Sequence, residues 1–214
     1  MKNRLLAPIA AIIIILGGLV YTNFDFTQFN PVKNIQTSEV VPEAPVKLLE
    51  TKSEGMAPHK YINALVTKVV DGDTIHIEYK KKKYKVRLLA VDTPESVEQG
   101  VAVQPYSKEA AQFLKNSVLN REVRLVFEKG IKDRYGRLLA HVIADGKKHI
   151  NSMLVRNGFA RVEIISPNKT FSDYLYRLQE DAIKERKGMW SLPEDQQPFI
   201  RSSGHKYVPR EKKK

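Results

Sequence analysis

Three runs rich in β-branched and aromatic residues follow one another almost without interruption after Lys60: residues 61–70, 74–79 and 84–91. Asp71-Gly72-Asp73 separates the first two runs, and Lys80-Lys81-Lys82-Lys83 separates the second from the third. Links this short leave room only for a tight turn and a hairpin tip, so this stretch is expected to fold as connected strands. Four lysines at such a tip read as a solvated loop that also discourages edge pairing.

The rest of the domain follows from periodicity. Residues 106–119 place Ala110, Phe113, Leu114 and Val118 on one stripe and read as a helix. Residues 123–127 and 138–143 are two further strands, the second closed by a turn at Asp145-Gly146. Residues 150–157 read as a short helix stopping at Gly158. Thr170-Phe171-Ser172-Asp173 has the form of a capping box and opens a helix that Gly188 ends. Leu175, Leu178, Ala182 and Ile183 form its apolar face, with Trp190 packed beneath. The fold class is mainly β with helices (α+β). Five short strands with a helix after the third fit a closed OB-type barrel flanked by three helices, and a mixed α+β sheet sandwich is the alternative.

Residues 5–21 are an unbroken uncharged run. As a helix they would rise about 26 Å, slightly under the roughly 30 Å hydrocarbon core. Lys2 and Arg4 precede the run and the next cation is Lys33, so the positive-inside rule keeps the amino terminus cytoplasmic and sends the rest across. Gly18-Leu19-Val20-Tyr21-Thr22-Asn23 offers no small-x-small cleavage site. The expectation is an uncleaved signal anchor over residues 1–22, a single-pass membrane protein whose folded part is extracellular. Secretion after cleavage is the alternative. Residues 23–59 contain Pro31, Pro42, Pro45 and Pro58 and read as a flexible tether. Residues 60–195 are the OB-type domain, and residues 196–214 read as a disordered basic tail.

Charge and cysteine content narrow the chemistry. Residues 1–59 hold five basic and five acidic side chains, so the whole net charge of +12 falls beyond them. That density suits a polyanion binder. Without a cysteine, disulfides, thiolate catalysis and cysteine-based zinc sites are excluded. The five histidines show no ligand spacing, and His76 and His141 read as ordinary strand positions.

Against this basic background, three acids stand out: Asp73 after the first turn, then Asp92 and Glu95 in Asp92-Thr93-Pro94-Glu95. A surface made only to hold phosphate would exclude acids. Carboxylates that converge inside a positive field instead suggest a hard divalent cation, Ca²⁺ or Mg²⁺, which would invite a phosphate oxygen. Asp71-Gly72-Asp73 taken alone is only a favourable turn. Arg87 and Arg137 could take up extra negative charge, although Arg87 lies five residues before Asp92. Strand alternation points the two to opposite faces unless the strand ends between them.

Asp71-Gly72-Asp73-Thr74, the stretch from Arg87 to Glu95, and Asp133-Arg134-Tyr135-Gly136-Arg137-Leu138-Leu139-Ala140 closely resemble signature blocks of the staphylococcal nuclease-like enzymes, the thermonucleases. Leu154-Val155-Arg156-Asn157-Gly158-Phe159-Ala160 and Trp190-Ser191 match in order and spacing. The resemblance covers about residues 60–192 and leaves out the apolar run, the tether and the basic tail. It implies that Asp73 and Asp92 ligate Ca²⁺ through their carboxylates and Thr93 through its backbone oxygen, with Asp71 behind them. Glu95 would orient or deprotonate the attacking water. Arg87 and Arg137 would stabilise the phosphorane, and Arg134 and Tyr135 would touch a terminal phosphate. It further implies a monomer that cleaves DNA and RNA, prefers unpaired strands, breaks the bond on the 5′-oxygen side and leaves 3′-phosphate ends. One departure stands out before Pro167-Asn168, where Glu163 and Ile165 replace two base-lining tyrosines. Base stacking contributes roughly 1–3 kcal/mol per base, so weaker nucleotide affinity or altered base preference is expected. Two other readings compete: a non-catalytic nucleic-acid-binding OB module at the cell surface, and an envelope protein whose partner is an acidic polymer or lipid.

Overall fold

The computed structural model describes residue 52 and residues 55–96 and 103–210. Its strands are β1 (Tyr61–Val69), β2 (Thr74–Tyr79), β3 (Lys82–Leu88), β4 (Glu122–Val126), β5 (Leu138–Ala144) and the short β6 (Lys148–His149). Hairpin pairing joins β1 to β2 and β2 to β3, while β4 lies antiparallel to both β1 and β5. The ring closes where β3 runs parallel to β5, with Val86 opposite Leu138, Arg87 opposite Leu139 and Leu88 opposite Ala140. This is the five-stranded barrel rather than a sheet sandwich. Its interior is filled by alternate residues, among them Ile62, Val66, Ile75, Ile77, Val86, Leu88, Leu125 and Val142.

Only Lys80 and Lys81 form the tip between β2 and β3, both at positive φ (49° and 61°). Lys82 and Lys83 belong to β3, opposite Tyr79 and Glu78. A register shift between Val66 and Lys68 bends β1 within the ring.

Three helices flank the barrel: α1 (Ser107–Val118), α2 (Ile150–Arg156) and α3 (Ser172–Lys184). The first packs Phe113 against Phe159, 5.4 Å between rings. The capping box expected at Thr170 is not formed. Phe171 is the N-cap residue of α3 and makes no side-chain cap bond. Both donors of Thr170, its N–H and its hydroxyl, go instead to Glu128 Oε2, at 2.9 and 2.7 Å. A long-range partner thus outcompetes the local cap. Glu128 lies just beyond β4, and its Oε1 accepts from His141 Nε2 at 2.8 Å. His141 Nδ1 in turn pairs with His149 Nε2 at 3.1 Å. Burial holds both imidazoles below their ordinary pKa, so each is neutral. His149 therefore donates to His141 and keeps an unpaired, buried Nδ1 acceptor.

The expected disordered tail over residues 196–214 needs correction. Residues Phe199–Ser203 and Lys206–Pro209 pair as an antiparallel hairpin, β7 and β8. Phe199 and Tyr207 from this hairpin bury themselves against Met189, Trp190 and Ala182, with the Trp190 and Tyr207 rings 4.8 Å apart. Trp190 does sit under α3, and the hairpin forms the other wall of its pocket. Gly158 and Gly188, both at positive φ, let the end of α2 cross the segment after α3. A Cβ on Gly158 would stand 2.1 Å from the Lys187 carbonyl oxygen. No helix of the described residues is long and apolar enough to cross a membrane. The expected anchor, most of the tether and residues 211–214 lie outside the described residues.

The Glu128 chain makes a pH prediction. Burial pushes the Glu128 carboxyl up, but the bonds from His141 and Thr170 outweigh it and hold it at about 2, below the ordinary 4.5. A depressed carboxyl stabilises the fold above its ordinary value, and that contribution is lost as the pH falls through 4.5 toward 2. Protonation of the two buried histidines acts in the same direction from 6.5 downward. The melting temperature should therefore fall on acidification. Glu128→Gln should cost about 2 kcal/mol at neutral pH by urea denaturation and flatten the acid limb below pH 4.5.

Candidate active site

Arg87 is the organising side chain. Val86 and Leu88 face the barrel interior, so Arg87 and its parallel partner Leu139 emerge on the opposite face. Strand β3 stops one residue later, and the chain turns sharply at Ala90, which has a φ of 59°. Arg87 Nη1 donates to the carbonyls of Leu88 (2.9 Å) and Val91, holding that turn against its own strand. Asp92 thereby returns to its side. The facing problem posed by the spacing is settled by the end of the strand.

Three carboxylates meet one nitrogen of this arginine. Arg87 Nη2 lies 3.1 Å from Asp73 Oδ2, 3.2 Å from Asp92 Oδ1 and 3.3 Å from Glu163 Oε2. Asp73 also accepts from the Thr93 N–H at 3.1 Å and the Thr93 hydroxyl at 3.3 Å through Oδ2, and from the Thr74 hydroxyl at 3.0 Å through Oδ1. The Asp73 N–H donates to Asp71 Oδ1 at 3.0 Å. Gly72 makes this convergence possible, because a Cβ there would lie 2.6 Å from Thr93 Oγ1 and 2.8 Å from Ala110 Cβ.

Sequence reasoning missed Arg161. It pairs with Asp92 twice over. The two backbones exchange N–H···O bonds, each 2.9 Å, and Arg161 Nε and Nη2 reach Asp92 Oδ2 at 2.8 and 2.7 Å. Arg161 Nη2 also holds Glu163 Oε1 at 2.8 Å. Glu163, read from the sequence only as the loss of a stacking ring, is thus part of the charge cluster. The sole local signal was that Arg161 and Glu163 sit two apart and so share a face if the chain there is extended.

Acids outnumber arginines in this cluster, with Asp71, Asp73, Asp92 and Glu163 set against Arg87 and Arg161. Burial pushes the Asp92 carboxyl up to about 7 even though Arg161 and Arg87 pull it down, with Glu163 and Asp73 adding to the rise. Burial and the neighbouring Asp73 raise Asp71 to about 6. Among the described residues, no three His, Cys, Asp or Glu side chains gather as a metal-binding group. The donor set in question is smaller, two carboxylates and the Thr93 carbonyl. Asp73 Oδ1 and Asp92 Oδ1 each accept a single bond from the side chains around them, which leaves each a lone pair. Hard oxygen donors with uncompensated negative charge fit a Ca²⁺-type ion.

Glu95 and the loop before β5 carry the remaining candidates. Glu95 is exposed, two residues beyond Thr93, and its peptide is clamped by Gln104. Its N–H donates to Gln104 Oε1 at 2.8 Å, and its carbonyl accepts from the Gln104 N–H at 2.9 Å. Arg134, Tyr135 and Arg137 share the loop leading into β5, built on Asp133, whose Oδ1 takes the N–H groups of Tyr135 and Arg137 at 2.9 Å each. Arg137 pairs with Asp133 through Nε at 2.7 Å rather than with the acids around Arg87. It lies just before β5 begins, two residues ahead of Leu139, the partner of Arg87. Tyr135 is exposed at 69%, with the Arg134 guanidinium 4.8 Å from its ring centre.

Because Gly72 has no spare room, Gly72→Ala should separate the Asp73 turn from Thr93. Overpacking of this kind costs about 1–3 kcal/mol. The check is the urea midpoint, with loss of Thr93 N–H protection in hydrogen exchange as the local signature.

A family model described as staphylococcal nuclease homologue matches residues 85–192. The thermonuclease of Staphylococcus hyicus is 40% identical over 140 residues, 65% of this chain and 82% of that relative. That of Staphylococcus intermedius is 40% identical over 126 residues, 59% of this chain and 74% of the relative. The endonuclease YncB of Bacillus subtilis is 36% identical over 149 residues, 66% and 70% of the two chains. The chain belongs to the staphylococcal nuclease homologue family.

Proposed function

We propose that the protein is a Ca²⁺-dependent nuclease that hydrolyses phosphodiester bonds of DNA and RNA, prefers single strands, and cleaves on the 5′-oxygen side to leave 3′-phosphates. The observation that carries this reading is the meeting of Asp73 and Asp92 on one nitrogen of buried Arg87, in a chain of net charge +12. Relatives named thermonuclease and endonuclease support the same reaction class.

In this proposal Asp73, Asp92 and the Thr93 carbonyl hold the cation, with Asp71 buttressing Asp73. When bound, Ca²⁺ supplies the positive charge that draws in a phosphate oxygen. Glu95, exposed and fixed at its peptide by Gln104, orients the attacking water and takes its proton. Arg87 and Arg137 neutralise charge developing on the phosphorus oxygens. Glu163, whose side chain is 37% exposed against 9% for Asp73, is the Arg87 partner that an incoming phosphate oxygen would replace. Arg134 and the exposed Tyr135, whose ring carries the Arg134 guanidinium, are assigned to the terminal phosphate of the bound nucleotide. The apolar run at residues 5–21, with its cations on the amino-terminal side, supports anchorage in the cell membrane with the nuclease domain outside. A binding-only OB module at the surface accounts for the charge and the barrel but not for buried acids around Arg87.

With Ca²⁺ the chain should degrade denatured DNA to 3′-phosphate ends, and EGTA should stop it. Persistent cleavage in excess EGTA would remove the metal role, and tight binding without cleavage at saturating Ca²⁺ would favour the binding module. Arg137→Ala should lower kcat roughly a hundredfold or more, as other losses of transition-state charge stabilisation do. A loss below tenfold counts against that assignment.

A further inference from the structure

The family match ends at residue 192, yet the chain goes on to build the β7–β8 hairpin against the active centre. Arg161 Nη1 donates to the Tyr207 carbonyl at 2.8 Å, and its guanidinium lies 5.2 Å from the centre of the Phe199 ring. The next residue is tied to the same hairpin through Gln179. The Gln179 Oε1 accepts from the Val162 N–H at 2.7 Å, while its Nε2 donates to the His205 carbonyl at 2.8 Å. Arg161 is 8% exposed. With Nη1 on the hairpin, Nε and Nη2 are aimed at Asp92 and Glu163.

We propose that the carboxy-terminal hairpin is a working part of the catalytic centre, a brace that fixes Arg161 so that this arginine positions Asp92 for the cation. Arg161 is a positioning residue: its contacts are with an acid in the ligand set and not with the reacting atoms. A buried guanidinium keeps its place only while its donors are satisfied and its charge is matched. The hairpin supplies one carbonyl and one aromatic face toward that end. Asp92 and Glu163 supply the charge. Removing the brace lets Arg161 leave for water, and Asp92 then loses the two contacts that orient its carboxylate. Coupling of this kind is reciprocal, so cation binding must also tighten the hairpin.

This inference rests on the nuclease reading, and one experiment separates the two. The single tryptophan, Trp190, lies against Tyr207 and reports hairpin docking through its emission. The full-length wild type, Arg161→Gln, Arg161→Lys and a chain ending at Gln197 are compared for Ca²⁺ affinity by calorimetry, for kcat and KM on single-stranded DNA, and for hairpin amide exchange with and without Ca²⁺. Loss of groups that orient metal ligands typically weakens metal affinity or activity roughly 10- to 100-fold. That range is expected for Arg161→Gln and for the truncated chain. Arg161→Lys, which keeps the charge but not the fork, should recover part of the loss. In the wild type, Ca²⁺ should slow exchange at the hairpin amides. Arg161→Gln with native Trp190 emission and wild-type Ca²⁺ affinity and kcat overturns the brace while leaving the nuclease reading intact. It is also the deciding variant where the truncated chain does not fold. A wild-type chain that neither binds Ca²⁺ nor cleaves overturns both.

Discussion

A buried guanidinium without matched charge would destabilise the fold by several kcal/mol, and the architecture around Arg87 answers that requirement. One nitrogen is satisfied by carbonyls of the turn that follows its own strand, the other by three carboxylates from three separate segments. Those contacts depend on one another. The turn at Ala90 brings Asp92 back, Asp92 holds Arg161 through a short antiparallel bridge, and Arg161 holds Glu163 against Arg87. Deleting any member strands a charge belonging to another.

The barrel supplies the rigidity this cluster needs. Closure by the parallel β3–β5 pair fixes Arg87 beside Leu139, and the loop carrying Arg134, Tyr135 and Arg137 leads directly into β5. Helix α1 presses Ala110 against Gly72, which fixes the Asp73 turn from below. Charge is thus concentrated at one end of a ring packed with apolar side chains. The polar chain from His149 through His141 to Glu128 and Thr170 ties that ring to α3.

Glu163 joins the cluster from outside the acid–arginine motif blocks. Its carboxylate contacts both Arg87 and Arg161, although the sequence marks it only as a position expected to carry a ring. In the proposed reaction a phosphate oxygen would have to displace this acid from Arg87. The hairpin beyond the family match adds a second support to the same corner through Arg161.

The strands, the helices and the acid–arginine blocks were readable in the chain because they are local: alternation, 3.6-residue periodicity, turn residues and short motifs need only near neighbours. The apolar stripe of α1 and the placement of Trp190 under α3 follow the same rule. Folding in three dimensions decided what local pattern cannot carry. It put Arg87 and Asp92 on one side by ending β3 between them, and it gave Thr170 to Glu128 instead of to a helix cap. It also turned a basic tail into a hairpin through two buried rings, Phe199 and Tyr207, spaced too far apart to register as a stripe. Arg161 was hidden for the same reason: beyond nearby Glu163 its partners are Asp92 and the Tyr207 carbonyl, 69 and 46 residues away, and only the tertiary fold brings them within reach.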